Sequence, residues 1–297
     1  MIYSKVYKEG AGKLSDAHIE EAALEARLLL EFICGTDINT LYAHPDREVM
    51  DEDYVKYMQL VQKRTKHIPL SHITGERDFM GLTFKVNENV LIPRQDTEIL
   101  VEEAMRYIDD GMSVLDLCTG SGCIILSIAS YKNNLKCVGT DISEGALKVA
   151  RENATALGFD VTFPNEISKG FTFFLEGDLY EALEFESVDF KLREMKFDVI
   201  VSNPPYIRTS DIETLAIEVK DHDPLIALSG GADGLDFYRR IIANAPLYLV
   251  SEGRIFLEIG HDQAKEVSKL LEEAGFTEVE VVKDYAGFDR VVKGRLK

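Results

Sequence analysis

Two consecutive prolines end an apolar run late in this chain, and few folds accommodate that. Phe197-Asp198-Val199-Ile200-Val201 reads as a buried strand. Ser202 follows, then Asn203-Pro204-Pro205-Tyr206. Neither proline can donate to a β ladder, and each fixes its own φ. The backbone must therefore leave the sheet stiff and extended as soon as the strand ends. It presents an amide side chain (Asn203), free carbonyls and an aromatic ring (Tyr206). Such a set can cradle a flat, polar NH2 group. It also suits a plain strand-terminating turn, since Asn-Pro and Pro-Pro punctuate loops. The rest of the chain has to decide.

The 297 residues suffice for one large domain or two. A net charge of -19 gives a surface that repels phosphate backbones, so direct nucleic-acid binding is not expected. The basic groupings are short: Lys63-Arg64-Lys66, Arg239-Arg240 and the tail Lys293-Arg295-Lys297. They read as solvated helix faces and an exposed terminus. Cys34, Cys118, Cys123 and Cys137 form no CxxC pair, and the six histidines are scattered, so no metal site is expected. Unpaired thiols of this kind point to a cytoplasmic protein. The first residues lack the apolar segment of a signal peptide. No stretch approaches the roughly 18 apolar residues that span a bilayer, so no membrane partner is expected.

Residues 1–74 read as a small helical bundle. Ser15 or Asp16 can cap a helix with the stripe Ile19, Ala22, Ala23, Ala26, Leu29, Leu30, Ile33, ended by Gly35. A short segment over 38–43 precedes a third helix, capped by Asp51 and closing near Lys66. Residues 75–93 read as a β-hairpin connector: a strand over 79–86, a turn at Asn87-Glu88-Asn89 and a return through Val90-Leu91-Ile92. Residues 94–297 form the second domain. Asp96 can cap a helix with Ile99, Leu100, Ala104 and Tyr107 inward. Strands over 113–117, 137–140, 171–175, 197–201 and 253–259 then alternate with helices over 124–131, 143–157, 236–248 and 263–274, with Ser143 as a cap. Segments 279–283 and 290–292 read as a closing antiparallel pair. The fold class is α/β, a parallel sheet with helices on both faces.

Four strand ends carry chemistry. Leu115-Asp116-Leu117-Cys118-Thr119-Gly120-Ser121-Gly122 runs from the first strand into a helix, and its glycines let backbone approach a ligand. It is neither G-x-G-x-x-G nor a P-loop. A glycine loop without phosphate-binding residues, next to an acidic strand residue, suits S-adenosylmethionine, which carries an ammonium and no phosphate. Asp141, ending the second strand, can accept both ribose hydroxyls. Gly177-Asp178-Leu179, ending the third, can meet an adenine: Asp178 at the exocyclic amine, Leu179 on the ring. Asn203-Pro204-Pro205-Tyr206 ends the fourth. Ligands of open α/β sheets bind at the carboxyl ends of strands near the switch point.

Together these residues resemble the class I S-adenosylmethionine-dependent methyltransferases, a Rossmann-like fold. Asn-Pro-Pro-Tyr is shared by members acting on planar nitrogens, either adenine in nucleic acid or glutamine amides in protein. Leu91-Ile92-Pro93-Arg94-Gln95-Asp96-Thr97-Glu98, Asp223-Pro224-Leu225-Ile226-Ala227-Leu228, Glu258-Ile259-Gly260 and Asp284-Tyr285 are similar to the release-factor glutamine methyltransferases (the HemK/PrmC family). Cys118 stands where that family usually has glycine. Stretches around Pro164-Asn165-Glu166 and 184–195 look like insertions. The resemblance implies transfer of methyl from S-adenosylmethionine, leaving S-adenosylhomocysteine, to the glutamine of a release factor's Gly-Gly-Gln loop, with the helical domain holding that partner. Asn203 oxygen and the Pro204 carbonyl would accept the two amide N–H groups, with Pro205 and Tyr206 packed on the amide plane. Cys118, Thr119, Gly120, Ser121, Gly122, Asp141, Asp178, Leu179 and Asn203 would hold the cofactor. A ribosomal-protein glutamine, adenine N6 in nucleic acid, or cofactor binding without catalysis are the alternatives. The acidic surface disfavours the nucleic acid.

Overall fold

The computed structural model describes residues 1–161, 170–184, 186–187, 190–191 and 194–297, excepting the side chains of 186, 187, 190 and 191. The expected insertion at Pro164-Asn165-Glu166 lies outside these residues, as does part of 184–195. The chain divides into two compact units, Met1–Glu76 with Ala216–His222, and Arg77–Leu215 with Asp223–Lys297.

The first unit is helical: α1 (Tyr3–Asp16), α2 (Ala22–Cys34), α3 (Ile38–Ala43), α4 (Asp51–Arg64) and α5 (Leu70–Thr74). Ser15 and Asp16 end α1 instead of capping the next helix. The chain turns at His18, in the left-handed region at φ 59°, and α2 starts at Ala22 with no side-chain cap. Asp51 likewise does not cap α4; it sits in the first turn, where its charge still meets the helix dipole. Asp37 does cap α3, accepting from Thr40 N at 2.7 Å. The core is Tyr3, Val6, Leu14, Ala26, Leu29, Leu30, Tyr57 and Val61. The Tyr57 hydroxyl donates to the Ala26 carbonyl at 3.1 Å. Arg64, 3% exposed, is neutralised by Glu25 and by Glu218 of the returning segment.

The second unit opens on a hairpin, β1 (Glu76–Phe79) and β2 (Leu82–Lys85). Its turn is Met80-Gly81, both at positive φ, as a two-residue hairpin turn requires. The expected turn at Asn87-Glu88-Asn89 lies beyond the hairpin, and Val90-Leu91-Ile92 is not a strand. Val86 and Val90 instead pack with Ala146 and Val149. A short 3-10 turn, Gln95–Thr97, leads into α6 (Glu98–Met105). Asp96 therefore does not cap that helix; its carboxylate pairs with Arg290 at 3.3 Å.

Then come β3 (Ser113–Leu117), α7 (Cys123–Tyr131), β4 (Lys136–Asp141), α8 (Glu144–Ala156), β5 (Phe171–Glu176), a small antiparallel pair β6 (Glu186–Ser187) and β7 (Phe190–Lys191), and β8 (Phe197–Ser202). After α9 (Ile217–Lys220) and α10 (Leu225–Leu228), the chain continues as α11 (Asp236–Tyr248), β9 (Leu249–Glu258), α12 (Ala264–Glu273), β10 (Phe276–Lys283) and β11 (Asp289–Leu296). Ser143 caps α8, its Oγ accepting from Ala146 N. Seven strands form one sheet in the order β10-β11-β9-β8-β3-β4-β5. Neighbours from β9 to β5 are parallel, and β11 runs antiparallel to both its neighbours. Alternate residues face opposite layers. Leu115, Ile200 and Leu257 join α11 and α12 in one core, while Val114, Val199, Val201 and Phe256 join α6, α7 and α8 in the other. This two-sided burial is why the strands read as unbroken apolar runs. Strand order reverses between β3 and β8, whose register pairs Leu117 with Ser202. No helix among the described residues is long and apolar enough to cross a membrane.

Gly10 marks the tightest contact in the first unit. A Cβ there would collide with the Tyr57 hydroxyl, and that ring is fully buried. Gly10→Ala in an exposed helix would be stabilising through propensity. Here we expect a loss of about 1–3 kcal/mol from overpacking, measured by denaturant unfolding.

Candidate active site

The register sets the first juxtaposition. Because Leu117 faces Ser202 across β3 and β8, the residues that follow each, Cys118 and Asn203, leave the sheet side by side. Ser202 Oγ ties the two ends by donating to the Leu117 carbonyl at 2.7 Å. One cavity lies over these ends. Cys118, Thr119, Gly120, Ser121, Asp141, Asp178, Leu179, Asn203 and Pro205 border it. Gly122, Pro204 and Tyr206 do not.

The loop after β3 alternates in hand, with Cys118 at φ 59°, Gly120 at 55° and Gly122 at 78°. Cys118 thus occupies a left-handed position that glycine fills without strain, which explains the usual glycine there. Gly122 is the N-cap of α7, packed against Leu126, Ala150 and Phe174. Thr119 is anchored twice: its amide donates to the Thr140 carbonyl at 2.9 Å, and its hydroxyl to Asp116 Oδ2 at 2.7 Å. Asp116 is fully buried and shapes the loop from beneath. Burial pushes its pKa up to about 7, against the Thr119 hydrogen bond that lowers it and the neighbouring Asp141 charge that adds to the rise.

Asp141 accepts Gly120 N on Oδ2 and Ser143 N on Oδ1, each at 2.9 Å. Each oxygen keeps a further lone pair. Burial raises its pKa in spite of those two hydrogen bonds. Asp178 meets Arg240, which also borders the cavity, at 2.7 Å. Gly177 allows the tight entry to the next turn, since a Cβ would press within 2.6 Å of Ala182 backbone.

The acceptor stretch is held from outside. Asn203 Nδ2 donates to Thr97 Oγ1 at 3.2 Å. Among the described residues nothing donates to its Oδ1. Ile207 N donates to the Leu228 carbonyl at 3.0 Å, and Gly230 N to the Ile207 carbonyl at 2.8 Å. The Tyr206 carbonyl accepts Gln263 Nε2 at 3.0 Å. Gly230 has no room for a side chain, with Pro205 O 2.7 Å from where a Cβ would stand. The Tyr206 ring does not face the cavity as expected. A half-buried phenol still favours a partner, and its hydroxyl turns to Glu258 Oε1 at 3.4 Å. Burial, then the Glu258 charge, push the Tyr206 pKa up. The mouth adds Arg94, paired with the buried Asp223 at 2.7 Å, and Pro224, Ile226 and Ala227 of the Asp223–Leu228 motif.

Thr97, Arg94, Gln263, Gly230, Glu258 and Arg240 were not among the expected site residues. Arg94, Thr97 and Glu258 lie inside motifs that the sequence made visible. Arg240 was visible only as half of a basic pair expected on a solvated helix face, whereas it borders the cavity and pairs with Asp178; Gly230 and Gln263 carried no signal of their own.

A group with a raised folded-state pKa contributes stability in acid and loses it as pH rises. For Asp116 the loss runs from about 4, the unfolded value, to about 7. Asp116→Asn cannot titrate and still accepts from Thr119. Its Tm relative to the parent should therefore climb over that window and level off above it, as followed by scanning calorimetry.

Three comparisons bear on this geometry. The family description "PrmC N-terminal domain" matches residues 5–75, and "Methyltransferase domain" matches 108–275. The release factor glutamine methyltransferase of Geobacter sulfurreducens is 40% identical over 292 residues, covering 98% of this chain and 96% of that one. That of Clostridium acetobutylicum is 41% identical over 270 residues, 90% and 89% of the two chains. Among solved structures, the Thermus thermophilus 16S rRNA N2 G1207 methyltransferase in complex with AdoMet and guanosine has a TM-score of 0.50. It is 19% identical and covers 75% of this chain and 50% of that chain. At that identity the likeness speaks for the fold alone.

Proposed function

The chain belongs to the release factor glutamine methyltransferase family, and from that premise we propose that it methylates the side-chain amide nitrogen of the glutamine in a release factor's Gly-Gly-Gln motif. The observation that carries this reading is the half-spent amide of Asn203. Its nitrogen is committed to Thr97, and its oxygen is left to accept from a ligand at the cavity. A carboxamide NH2 is the group that such an acceptor suits.

The cavity's donor set fits S-adenosylmethionine. Asp141 has spare lone pairs for a ribose diol, Asp178 and Leu179 border the place for adenine, and the 118–121 loop lines the remainder. When bound, the sulfonium supplies the electrophilic methyl and leaves as S-adenosylhomocysteine. The protein's task is to make a poor nucleophile ready. Asn203 Oδ1 accepts one N–H of the target amide. That bond helps localise the nitrogen lone pair, orients it for in-line attack and stabilises the positive charge that grows on nitrogen. Pro205 packs on the amide plane, and Tyr206 braces the stretch from behind. The methylated nitrogen is acidic, so its proton leaves to water without a dedicated base.

In this reading residues 1–74 hold the release factor, 75–93 connect, and 94–297 perform the transfer, in the cytoplasm. The test is incubation with methyl-labelled S-adenosylmethionine and, in parallel, release factor, ribosomal proteins and plasmid DNA. Label confined to the Gly-Gly-Gln peptide is expected; label on DNA or on a ribosomal protein alone would overturn the assignment. Asn203→Ala should lower kcat by on the order of 100-fold, with the KM for S-adenosylmethionine nearly unchanged.

A further inference from the structure

The two halves of the sheet's carboxyl edge carry different loads. The 118–121 loop, Asp141 and Asp178 follow β3, β4 and β5 and border the cavity from that side, while Asn203 follows β8, in the middle of the strand order. With the cofactor over β3 to β5, the strand ends left open to a substrate are those of β8, β9 and β11. The target glutamine is internal to its chain, so polypeptide has to leave the cavity in two directions, and it cannot leave through the cofactor. Register brings the start of β11 to this open half: Ser202 faces Leu257, and Glu258, the last residue of β9, faces Val291. The loop 284–288, between β10 and β11, therefore stands on the same edge as the cavity.

That loop is closed on itself. Asp284 N donates to the Phe288 carbonyl at 2.8 Å, and Asp284 Oδ1 accepts Ala286 N at 3.0 Å and Phe288 N at 2.9 Å. Gly287, at φ 89°, makes the turn. Arg290, its side chain 13% exposed, fixes the base. It donates to Asp284 Oδ2 at 2.9 Å and pairs with Asp96 at 3.3 Å, and Asp96 stands in sequence between Arg94 and Thr97 of the cavity wall. A loop ordered in this way has little conformational freedom left to lose on binding. Yet it hides neither of its rings. Tyr285 is 84% exposed and Phe288 55%. Tyr285 reaches Glu102 with its hydroxyl, at 3.1 Å, and Phe288 stands edge-on to His261 with ring centroids 6.0 Å apart. Rigid aromatic side chains of this kind carry much of the binding energy at protein interfaces.

We propose that the 284–288 loop is a docking rim for the release factor: Tyr285 and Phe288 receive the polypeptide that leaves the cavity beside the target glutamine. This rests on the reading that the cofactor fills the β3 to β5 side and that Asn203 receives the target amide. The rim adds affinity for the macromolecule and takes no part in the transfer.

The test measures KM and kcat for a whole release factor at saturating S-adenosylmethionine, and the Kd for that cofactor by calorimetry, in the parent and in Tyr285→Ala, Tyr285→Phe and Phe288→Ala. Each alanine variant should raise the release-factor KM about 10-fold or more, the size of a lost aromatic anchor, with kcat and cofactor Kd within about two-fold of the parent. Tyr285→Phe keeps the ring and drops the hydroxyl bond to Glu102, and should keep the parent KM. A KM unmoved in both alanine variants overturns the proposal, as does a Tyr285→Phe loss equal to that of Tyr285→Ala. A cofactor Kd that rises together with KM also overturns it, because the loop would then be shaping the cavity. So does a parent dimer that either alanine variant splits in sedimentation, because the rings would then hold a second copy of this chain. All of these outcomes leave the methylation itself standing, whereas a parent that puts no label on the release factor would sink the reading beneath the proposal.

Discussion

Pro204 and Pro205 bring no N–H to the end of β8, so the stretch that carries Asn203 cannot anchor itself. Its fixed points come from three other parts of the chain: Thr97 on the nitrogen of Asn203, Gln263 on the Tyr206 carbonyl, and the 228–230 backbone on Ile207. Gly230 and Gly234 are glycines because backbone of this stretch lies where their side chains would be. A missing donor thus dictates the residues of a loop some 25 positions downstream. In exchange, the carbonyls and the amide oxygen of the stretch are not consumed by a ladder. A segment that must receive N–H groups from a substrate is well made from residues that cannot satisfy themselves.

Three buried or half-buried carboxylates lie beneath or beside the cavity, and each is spent on geometry. Asp116 holds Thr119 from below. Asp141 takes the Gly120 and Ser143 amides, joining the first loop to the start of α8. Glu258 gathers the hydroxyl of Tyr206. Burial raises the pKa of all three. Such groups are costly to desolvate, and their spacing over three different strands keeps each within reach of its own donors. The Leu117–Ser202 register is what brings these separate clusters under one cavity.

Most of the second unit was legible because its strands are buried on both faces and follow one another at strand–helix spacing. The cap of α8 at Ser143 was legible for the same local reason. The first helix was not. Its inward positions, Tyr3, Val6, Gly10 and Leu14, include a glycine that looks like a helix breaker and is in fact the contact point for Tyr57. The hairpin was misread because Met80 is not a turn residue by type, while Asn87 and Asn89 are; Asn87 does accept from Asn89 N, but in a loop. In the site, residues that act through their own chemistry, such as Asn203 and Asp141, stood out. Residues that act by lacking a side chain, or by aiming another residue, could not. Thr97 and Glu258 are separated by most of the second unit in sequence and acquire meaning only once α6 and β9 are packed.

The first unit is assembled from two pieces of sequence, Met1–Glu76 and Ala216–His222. Arg64 is buried there between Glu25 and Glu218, and Glu218 belongs to the second piece. During synthesis the helices of the first unit emerge from the ribosome long before that glutamate is made. Until then Arg64 has one carboxylate for a guanidinium that ends up with two. The last residues of the first unit arrive only after β3, β4, β5 and β8 have been translated. This unit therefore cannot finish as an independent amino-terminal module, and its completion is timed by the translation of the sheet.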